Sequence, residues 1–212
     1  MASHTRPSIA VTPSGPYIIT GFDTVVTVSG DTAAIKSNTS LCRCGYSKNK
    51  PFCDGAHGPY QFNKAPQLDT ETATTKTYPG QVQIHYNPGI CAHLEVCIRG
   101  LPNVFNNTRR PWILPDNADA VSVIDTVRRC PSGALTYTSE LSSVPTSNDG
   151  PGKPKIRALK NGPLAVEGNV ALEDIALASG GAQNRFTLCR CGASRAMPFC
   201  DGSHNDVGFT DE

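Results

Sequence analysis

Nine cysteines and five histidines carry the metal-binding chemistry that this chain of 212 residues can offer. The cysteines fall into three groups of three, and the first and third groups share the spacing C-x-C-x8-C-x3-H. Three thiolates and one imidazole can bind a structural zinc ion or an iron–sulfur cluster. Unliganded core cysteines are a third interpretation, but two identical spacings do not arise from packing. The two sets are Cys42, Cys44, Cys53 and His57, and Cys189, Cys191, Cys200 and His204.

These two sets belong to an internal repeat. With an offset of 147 residues, the chain aligns with itself without a gap from Pro7 and Pro154 to Phe62 and Phe209. A repeat of this length indicates two copies of one structural unit rather than a chance pair of motifs.

Each copy needs short strands and one turn to position its ligands. Apolar stretches at residues 9–11 and 17–19 are separated by Pro-Ser-Gly-Pro, and the second copy repeats this rhythm, which predicts strands. Gly45 permits a tight turn after the second cysteine. A cysteine at the start of a helical turn shares one face with a histidine four residues later, and the helix dipole favours Asp54 at that start. We therefore expect a small β-structure with a loop that holds the metal.

The sequences CRCGYSKNKPFCDGAH and CRCGASRAMPFCDGSH resemble the CDGSH iron–sulfur (mitoNEET-like) domain family. The resemblance implies a [2Fe-2S] cluster in each unit, one iron held by the two cysteines of C-x-C and the other by the third cysteine and the histidine. Members of the family commonly pair two units about a two-fold axis, so we expect an intramolecular pseudo-dimer; two independent units are the alternative. The residues that would bind iron are Cys42, Cys44, Cys53, His57, Cys189, Cys191, Cys200 and His204, with Ser47, Asp54, Ser194 and Asp201 supporting them.

The single histidine in each outer site has a chemical consequence. One ring nitrogen would bind iron, and the other could bind solvent or a partner and titrate, which would couple electron uptake to proton uptake. The family resemblance also implies clusters that are redox-active and can be labile or transferable. Nothing in the chain resembles the membrane anchor of mitoNEET-like proteins.

The central group, Cys91, Cys97 and Cys130, resembles half of a bacterial ferredoxin, with Leu94 at the position of the middle cysteine. The region 82–137 also resembles divergent mono-cluster ferredoxin-like domains fused to CDGSH units. Three cysteines favour a [3Fe-4S] cluster. A [4Fe-4S] cluster would need a fourth ligand, for which His93 is the candidate; the alternative for His93 is a histidine that binds no iron.

Hydrophobic patterning predicts the elements of this central region. We expect strands at 81–86, 111–114 and 134–138 and a short helix at 90–99. A second helix, capped by Asp116, would run to Arg129 and bury one apolar stripe. That stripe consists of Ala120, Val123, Ile124 and Val127.

The predicted fold class is α+β, with two small β-rich CDGSH units and a ferredoxin-like middle domain. We assign residues 1–62 to the first unit, 63–80 to a linker, 81–138 to the middle domain, 139–153 to a second linker and 154–212 to the second unit. Both linkers are rich in Thr, Ser, Pro and Gly and lack apolar periodicity.

Composition narrows the function classes. The net charge of +1 and the pI of about 7.6 give no basic excess for nucleic acid. Neither a leader pattern nor an apolar run of membrane-spanning length is visible, so we expect a reducing compartment. In such a compartment, nine cysteines favour metal ligands over disulfides. We expect a cytoplasmic, monomeric protein without a membrane association. No nucleophile–base or phosphate-loop motif is present, so we expect no enzyme.

The sequence thus predicts a three-cluster electron-transfer protein that meets a redox protein partner. One alternative is an iron–sulfur carrier or redox sensor that delivers its His-ligated clusters to an apo-acceptor. Another is an electron-donating subunit of an oxidoreductase. The pairs Arg109-Arg110 and Arg128-Arg129 could form a docking patch for an acidic redox partner, although solvated faces explain them equally well.

Overall fold

The computed structural model describes residues 6–64, 74–141 and 152–211. Much of the two predicted linkers, at residues 65–73 and 142–151, lies outside the described residues. The strands are β1 Ser8–Val11, β2 Tyr17–Thr20, β3 Thr24–Val26, β4 Thr32–Ala34, β5 Thr39–Leu41, β6 Lys76–Tyr78, β7 Val82–Tyr86, β8 Leu135–Ser139, β9 Lys155–Ala158, β10 Leu164–Glu167, β11 Ala171–Leu172 and β12 Arg185–Leu188. The α-helices are α1 Val96–Gly100, α2 Ala120–Arg128 and α3 Ser203–Asp206.

The two outer units exchange strands. In one sheet, of order β11-β1-β2-β5, strand β11 of the second unit pairs in parallel with β1 of the first. In the other sheet, of order β12-β10-β9-β3-β4, strand β3 of the first unit pairs in parallel with β9 of the second. The repeat offset matches β1 to β9 and β3 to β11, so the exchange is reciprocal. The predicted intramolecular pseudo-dimer is therefore confirmed, and the alternative of two independent units is wrong.

Both units contribute to one apolar core. Strands β1 and β2 alternate between inward and outward side chains, as a sheet with one buried face requires. Their inward residues pack against the inward residues of the second unit, so neither unit can separate without exposing this surface. The fully buried members include Ile9, Tyr17, Val25, Leu41, Ile156, Leu164, Val166 and Leu188.

The middle domain is a three-stranded antiparallel sheet, β6-β7-β8, covered by α2. The predicted strands at 81–86 and 134–138 are β7 and β8, and the predicted apolar stripe packs into the domain core. Strand β6 lies within the segment that we assigned to a linker. The polar composition of β6 gave no strand signal, because β6 is an edge strand in which only Tyr78 is partly buried.

Three local predictions in the middle domain were wrong. Helix α2 is capped by Asp119, whose side chain accepts the Ser122 N–H, whereas Asp116 accepts the N–H of Gln81. The segment 111–114 makes only an isolated bridge between Phe105 and Ile113. The helix expected at 90–99 begins only at Val96, because His93 and Glu95 before it have positive φ values, which an α-helix does not allow.

Among the described residues, no helix has both the length and the apolar character needed to cross a membrane.

Candidate metal centres

Each outer site is built from two close pairs of side chains. In the first unit, Cys42 Sγ and Cys44 Sγ lie 3.8 Å apart, and Cys53 Sγ and His57 Nδ1 lie 3.5 Å apart. In the second unit, the Sγ atoms of Cys189 and Cys191 are 3.6 Å apart. Cys200 Sγ lies 3.4 Å from Nδ1 of His204, which repeats the geometry of the first unit.

These distances match two ligands on one metal atom. On a tetrahedral metal, two bound sulfurs lie ~3.8 Å apart, and a bound sulfur and nitrogen lie ~3.6 Å apart. A mononuclear zinc site would bring all four ligands together, but no three His, Cys, Asp or Glu side chains in the described parts of the chain converge on a single ion position. Two separate pairs therefore fit a two-iron cluster better than a zinc ion.

A strand and a turn hold each pair. Strand β5 ends at Leu41, and the backbone N–H of Cys42 donates to Pro51 O while that of Cys53 donates to Ser40 O, which fixes the two pairs against each other. The second unit repeats both bonds from Cys189 to Pro198 and from Cys200 to Thr187.

The predicted supporting residues organise the loop between the pairs. The Ser47 hydroxyl donates to Phe52 O, and Asp54 accepts the N–H groups of Lys48 and Ala56, which keeps the pKa of Asp54 below its usual value. Ser194 and Asp201 make the corresponding bonds in the second unit. Burial opposes ionisation of Asp201, but hydrogen bonds from Ser203 and Arg195 outweigh it and lower its pKa.

The arginine inside each C-x-C is buried, which the sequence analysis did not anticipate. Arg43 donates to the carbonyl oxygens of Thr12, Pro13, Gly15 and Lys64 and stacks on the Phe62 ring. Arg43 therefore connects the ligand loop to the β1–β2 hairpin and to the C-terminal end of the first unit. The equivalent Arg190 donates to Gly162 O and Leu159 O, stacks on Phe209 and forms an ion pair with Asp211.

The two ligand loops meet at the pseudo-two-fold axis. Gly45 has φ +88° and packs so closely on the other loop that a Cβ there would lie 2.7 Å from Cys191 O. Gly192 packs in the same way on Cys44 O. The Tyr17 hydroxyl crosses between the units and donates to Cys189 O at 2.8 Å and Pro198 O at 3.0 Å.

The protonation of the thiols follows from this packing. In the first unit, the hydrogen bond between the two sulfurs lowers the pKa of Cys42 to about 6 and raises that of Cys44. In the second unit, the corresponding bond lowers the pKa of Cys191 to about 7 and raises that of Cys189. Burial raises the pKa of Cys200 to about 12. Metal binding must therefore displace protons from the remaining thiols.

The two outer sites differ in their surroundings. His57 is half-buried, whereas His204 is only 5% exposed, and burial lowers the pKa of His204. The difference arises because the side chain of His93, from the middle domain, packs on Gly202. The equivalent Gly55 has nothing within 4 Å of a Cβ position.

The middle site brings three thiols near Tyr86, of which Cys130 is buried and Cys91 and Cys97 are half-buried. Cys91 follows the 3-10 turn Pro88–Ile90, Cys97 lies in α1, and Cys130 follows α2. Burial, together with the charges of Cys130 and Cys91, raises the pKa of Cys97 to about 12. Cys91 and Cys97 line a cavity of about 450 Å³.

Three thiols form the donor set of this site, and among the described residues they make none of the close ligand pairs of the outer sites. One thiolate binds each iron of a [4Fe-4S] cluster, so such a cluster would need a fourth ligand here. His93 lines the same cavity, at φ +50°, while its ring packs on Gly202 of the second unit. His93 as a fourth ligand stays a prediction.

All four arginines of the two pairs make contacts within the middle domain. Arg109 donates to Asn103 O and Val104 O, and Arg110 donates to Asn107 O. Arg128 lies over the Tyr137 ring, and Arg129 bonds back to Thr126 of its own helix. Their docking role stays a prediction.

Comparisons with known proteins agree with this division of sites. Residues 14–58 and 161–205 match a family described as iron-binding zinc finger CDGSH type. Residues 78–140 match a family described as divergent 4Fe-4S mono-cluster. Two relatives, each named uncharacterized protein YjdI, from Escherichia coli strain K12 and Escherichia coli O157:H7, are each 41% identical to this chain over 63 residues, which is 29% of this chain and 83% of that protein. No solved structure matches the chain.

Proposed function

We propose an electron-transfer function for this chain, which belongs to the CDGSH-type iron-binding family through its outer units and to the divergent 4Fe-4S mono-cluster family through its middle domain. The observation that carries the proposal is the interlocked arrangement of two equivalent two-pair sites in one core. Such a site holds its ligands in a fixed geometry, which suits repeated one-electron oxidation and reduction.

We assign a [2Fe-2S] cluster to each outer site and a [4Fe-4S] cluster to the middle site, with [3Fe-4S] as the alternative that three cysteines also suit. When bound, these clusters supply one-electron redox chemistry. The ligands would be Cys42, Cys44, Cys53 and His57; Cys189, Cys191, Cys200 and His204; and Cys91, Cys97 and Cys130.

The protein's own residues perform three tasks in this function. Cys and His side chains hold iron, and the histidines favour a higher reduction potential than a fourth thiolate would. The buried Arg43 and Arg190 place positive charge beside anionic ligand sets. The hydrogen bonds of Tyr17 and of the ligand backbones keep the loops in place when the charge of the site changes.

Cluster donation to an apo-acceptor is a second candidate function. The half-buried Cys53 and His57 favour it, because an acceptor's thiolates could approach this pair. We propose no catalytic role. An electron-donating subunit of an oxidoreductase is a third candidate function.

One experiment separates these functions. The anaerobic full chain is reduced with dithionite and reoxidised, and iron and sulfide are measured before and after. Electron transfer predicts a fully recovered visible spectrum with unchanged iron. Cluster donation predicts that mixing with an apo-ferredoxin moves iron and sulfide to the acceptor on the time scale of reduction, and this outcome would overturn the first proposal.

A further inference from the structure

In the part of the chain that the structure describes, the middle domain bonds to the second outer unit. Asn87 Nδ2 donates to Ser179 O at 2.9 Å, and the Ala182 N–H donates to Gly133 O at 2.9 Å. The buried Arg185 donates to the carbonyl of the ligand Cys130 at 3.0 Å. These bonds join the second unit to the loop that carries one of the three middle thiols.

The same docking covers the second outer site. His93, two residues after the ligand Cys91, packs on Gly202, which lies between the ligands Cys200 and His204. The middle site and the second outer site are therefore neighbours with protein packed between them.

The first outer unit lacks these contacts at the equivalent positions. Asn38 replaces Arg185 and is exposed, and Gly55 replaces Gly202 and faces open space. The pair Cys53 and His57 is thereby half-buried rather than buried. Among the described ligands, the pair Cys53 and His57 of the first site is more exposed than the equivalent pair Cys200 and His204, although Cys191 of the second site is also half-buried.

The exposed surface beside the first site has its own chemistry. Tyr46 and Tyr60 are 50% and 61% exposed and stack with ring centroids 4.0 Å apart, where the second unit has Ala193 and Val207. Lys64 lines the same cleft as this pair, and Lys50 Nζ lies 5.8 Å from the centre of the Phe209 ring in that cleft. Of three lysines in this part of the first unit, two are replaced by an apolar or acidic residue in the second unit. The lysines are Lys48, Lys50 and Lys64, and their equivalents are Arg195, Met197 and Asp211.

We propose that the middle site and the second outer site form one coupled pair inside the protein, and that an acidic redox protein docks at the first outer site. The proposal rests on the electron-transfer function above. A positive, aromatic-centred surface around an accessible site attracts an acidic partner and speeds its association. The middle domain blocks the corresponding approach at the second site.

Spin coupling tests the internal pair. In a Cys53→Ala chain only the second outer site and the middle site remain, and in a Cys200→Ala chain only the first outer site and the middle site remain. In the reduced Cys53→Ala chain, we expect the outer-site EPR signal to show fast spin relaxation, measured by microwave power saturation. Adding Cys91→Ala should slow this relaxation, because it removes the neighbouring middle site. The Cys200→Ala chain should show little response to Cys91→Ala. Equal responses in the two chains would overturn the pairing.

Charged redox probes test the docking surface. Ferricyanide takes one electron from one reduced outer site and becomes ferrocyanide, so its rate reports access for an anion. At low salt we expect about tenfold slower oxidation of the first site in a Lys48→Glu/Lys50→Glu chain, and the opposite change with hexaamminecobalt(III). Lys36→Glu, an exposed charge reversal elsewhere in the first unit, is the control.

Three results would overturn the docking proposal. The first is equal ferricyanide rates at the two outer sites of the parent chain. The second is a double charge reversal that has no effect beyond that of Lys36→Glu. The third is a dimer of the parent chain, observed by analytical ultracentrifugation, that dissociates in the Lys48→Glu/Lys50→Glu variant. The last would assign the surface to a second copy. Iron loss on reduction would instead refute the proposed electron-transfer function, so the two failures are distinguishable.

Discussion

Two glycines of the first ligand loop provide a direct test of the interlocked outer units. Gly45 and Gly55 have nearly the same backbone conformation, with φ values of +88° and +89°. A Cβ on Gly45 would lie 2.7 Å from Cys191 O of the other unit, whereas a Cβ on Gly55 would meet nothing within 4 Å. Alanine at the two positions therefore adds the same left-handed backbone strain but a clash at only one.

The expected magnitudes follow from these contacts. An alanine forced into the left-handed region costs about 1–2 kcal/mol at either position. Overpacking against backbone atoms, which cannot swing away, adds about 1–3 kcal/mol at Gly45 alone. We expect Gly45→Ala to lower the free energy of unfolding by about 2 kcal/mol more than Gly55→Ala.

Urea denaturation of the anaerobic protein, followed by circular dichroism and by visible absorbance, measures this difference. With a slope of roughly 2 kcal/mol per molar urea, the midpoint of Gly45→Ala should lie about 1 M below that of Gly55→Ala. Gly192→Ala, at the equivalent position of the second unit, should behave like Gly45→Ala. Equal midpoints for Gly45→Ala and Gly55→Ala would refute the close contact of the two loops.

Four further substitutions test other parts of the structure. Tyr17→Phe removes the hydroxyl donor of Cys189 O, whereas Pro198 O keeps the backbone N–H of Cys189, and the change should lower the free energy of unfolding by about 1–3 kcal/mol in the same assay; an unchanged midpoint would contradict the bridge. Cys91→Ala should remove about four irons by chemical assay and spare the outer clusters, and loss of outer-site absorbance would argue against that independence. His57→Cys or His204→Cys should retain its cluster at a lower reduction potential in a spectroelectrochemical titration, and an unshifted potential would speak against histidine ligation.

The outer units were largely predictable because their signals are local and repeated. The ligand spacing fixes which side chains can share a metal, and the ungapped offset indicates equivalent units. Contacts far apart in sequence were not predictable. Tyr17 has no counterpart at the equivalent Leu164, so its bond to Cys189 depends on a strand exchange that only the fold reveals.

The buried arginines show a second limit of sequence patterns. An arginine between two cysteines reads as a polar surface residue, because charged side chains are rarely fully buried. Arg43 is nevertheless 0% exposed, since carbonyl oxygens of the turn at residues 12–15 and of Lys64 accept its N–H groups. The different surroundings of His57 and His204 were likewise hidden, because identical motifs carry no information about the middle domain that covers one of them.

The structure of the middle domain was harder to predict, because its helices and strands are short and loops position its cysteines. The helix cap moved from Asp116 to Asp119, since a 3-10 turn occupies Pro115–Asn117 and the side chain of Asp116 binds Gln81 instead. Its apolar stripe was nonetheless correct, because periodicity reports burial more reliably than it reports element ends.

Anaerobic quantitation of iron and acid-labile sulfide, combined with EPR of the oxidised and reduced protein, tests the central claim most directly. Two [2Fe-2S] clusters and one [4Fe-4S] cluster predict about eight irons and about eight sulfides per chain, without an oxidised-state signal from a three-iron centre. About seven irons with such a signal would replace the middle assignment by [3Fe-4S]. Bound zinc without sulfide at the outer sites would contradict the account.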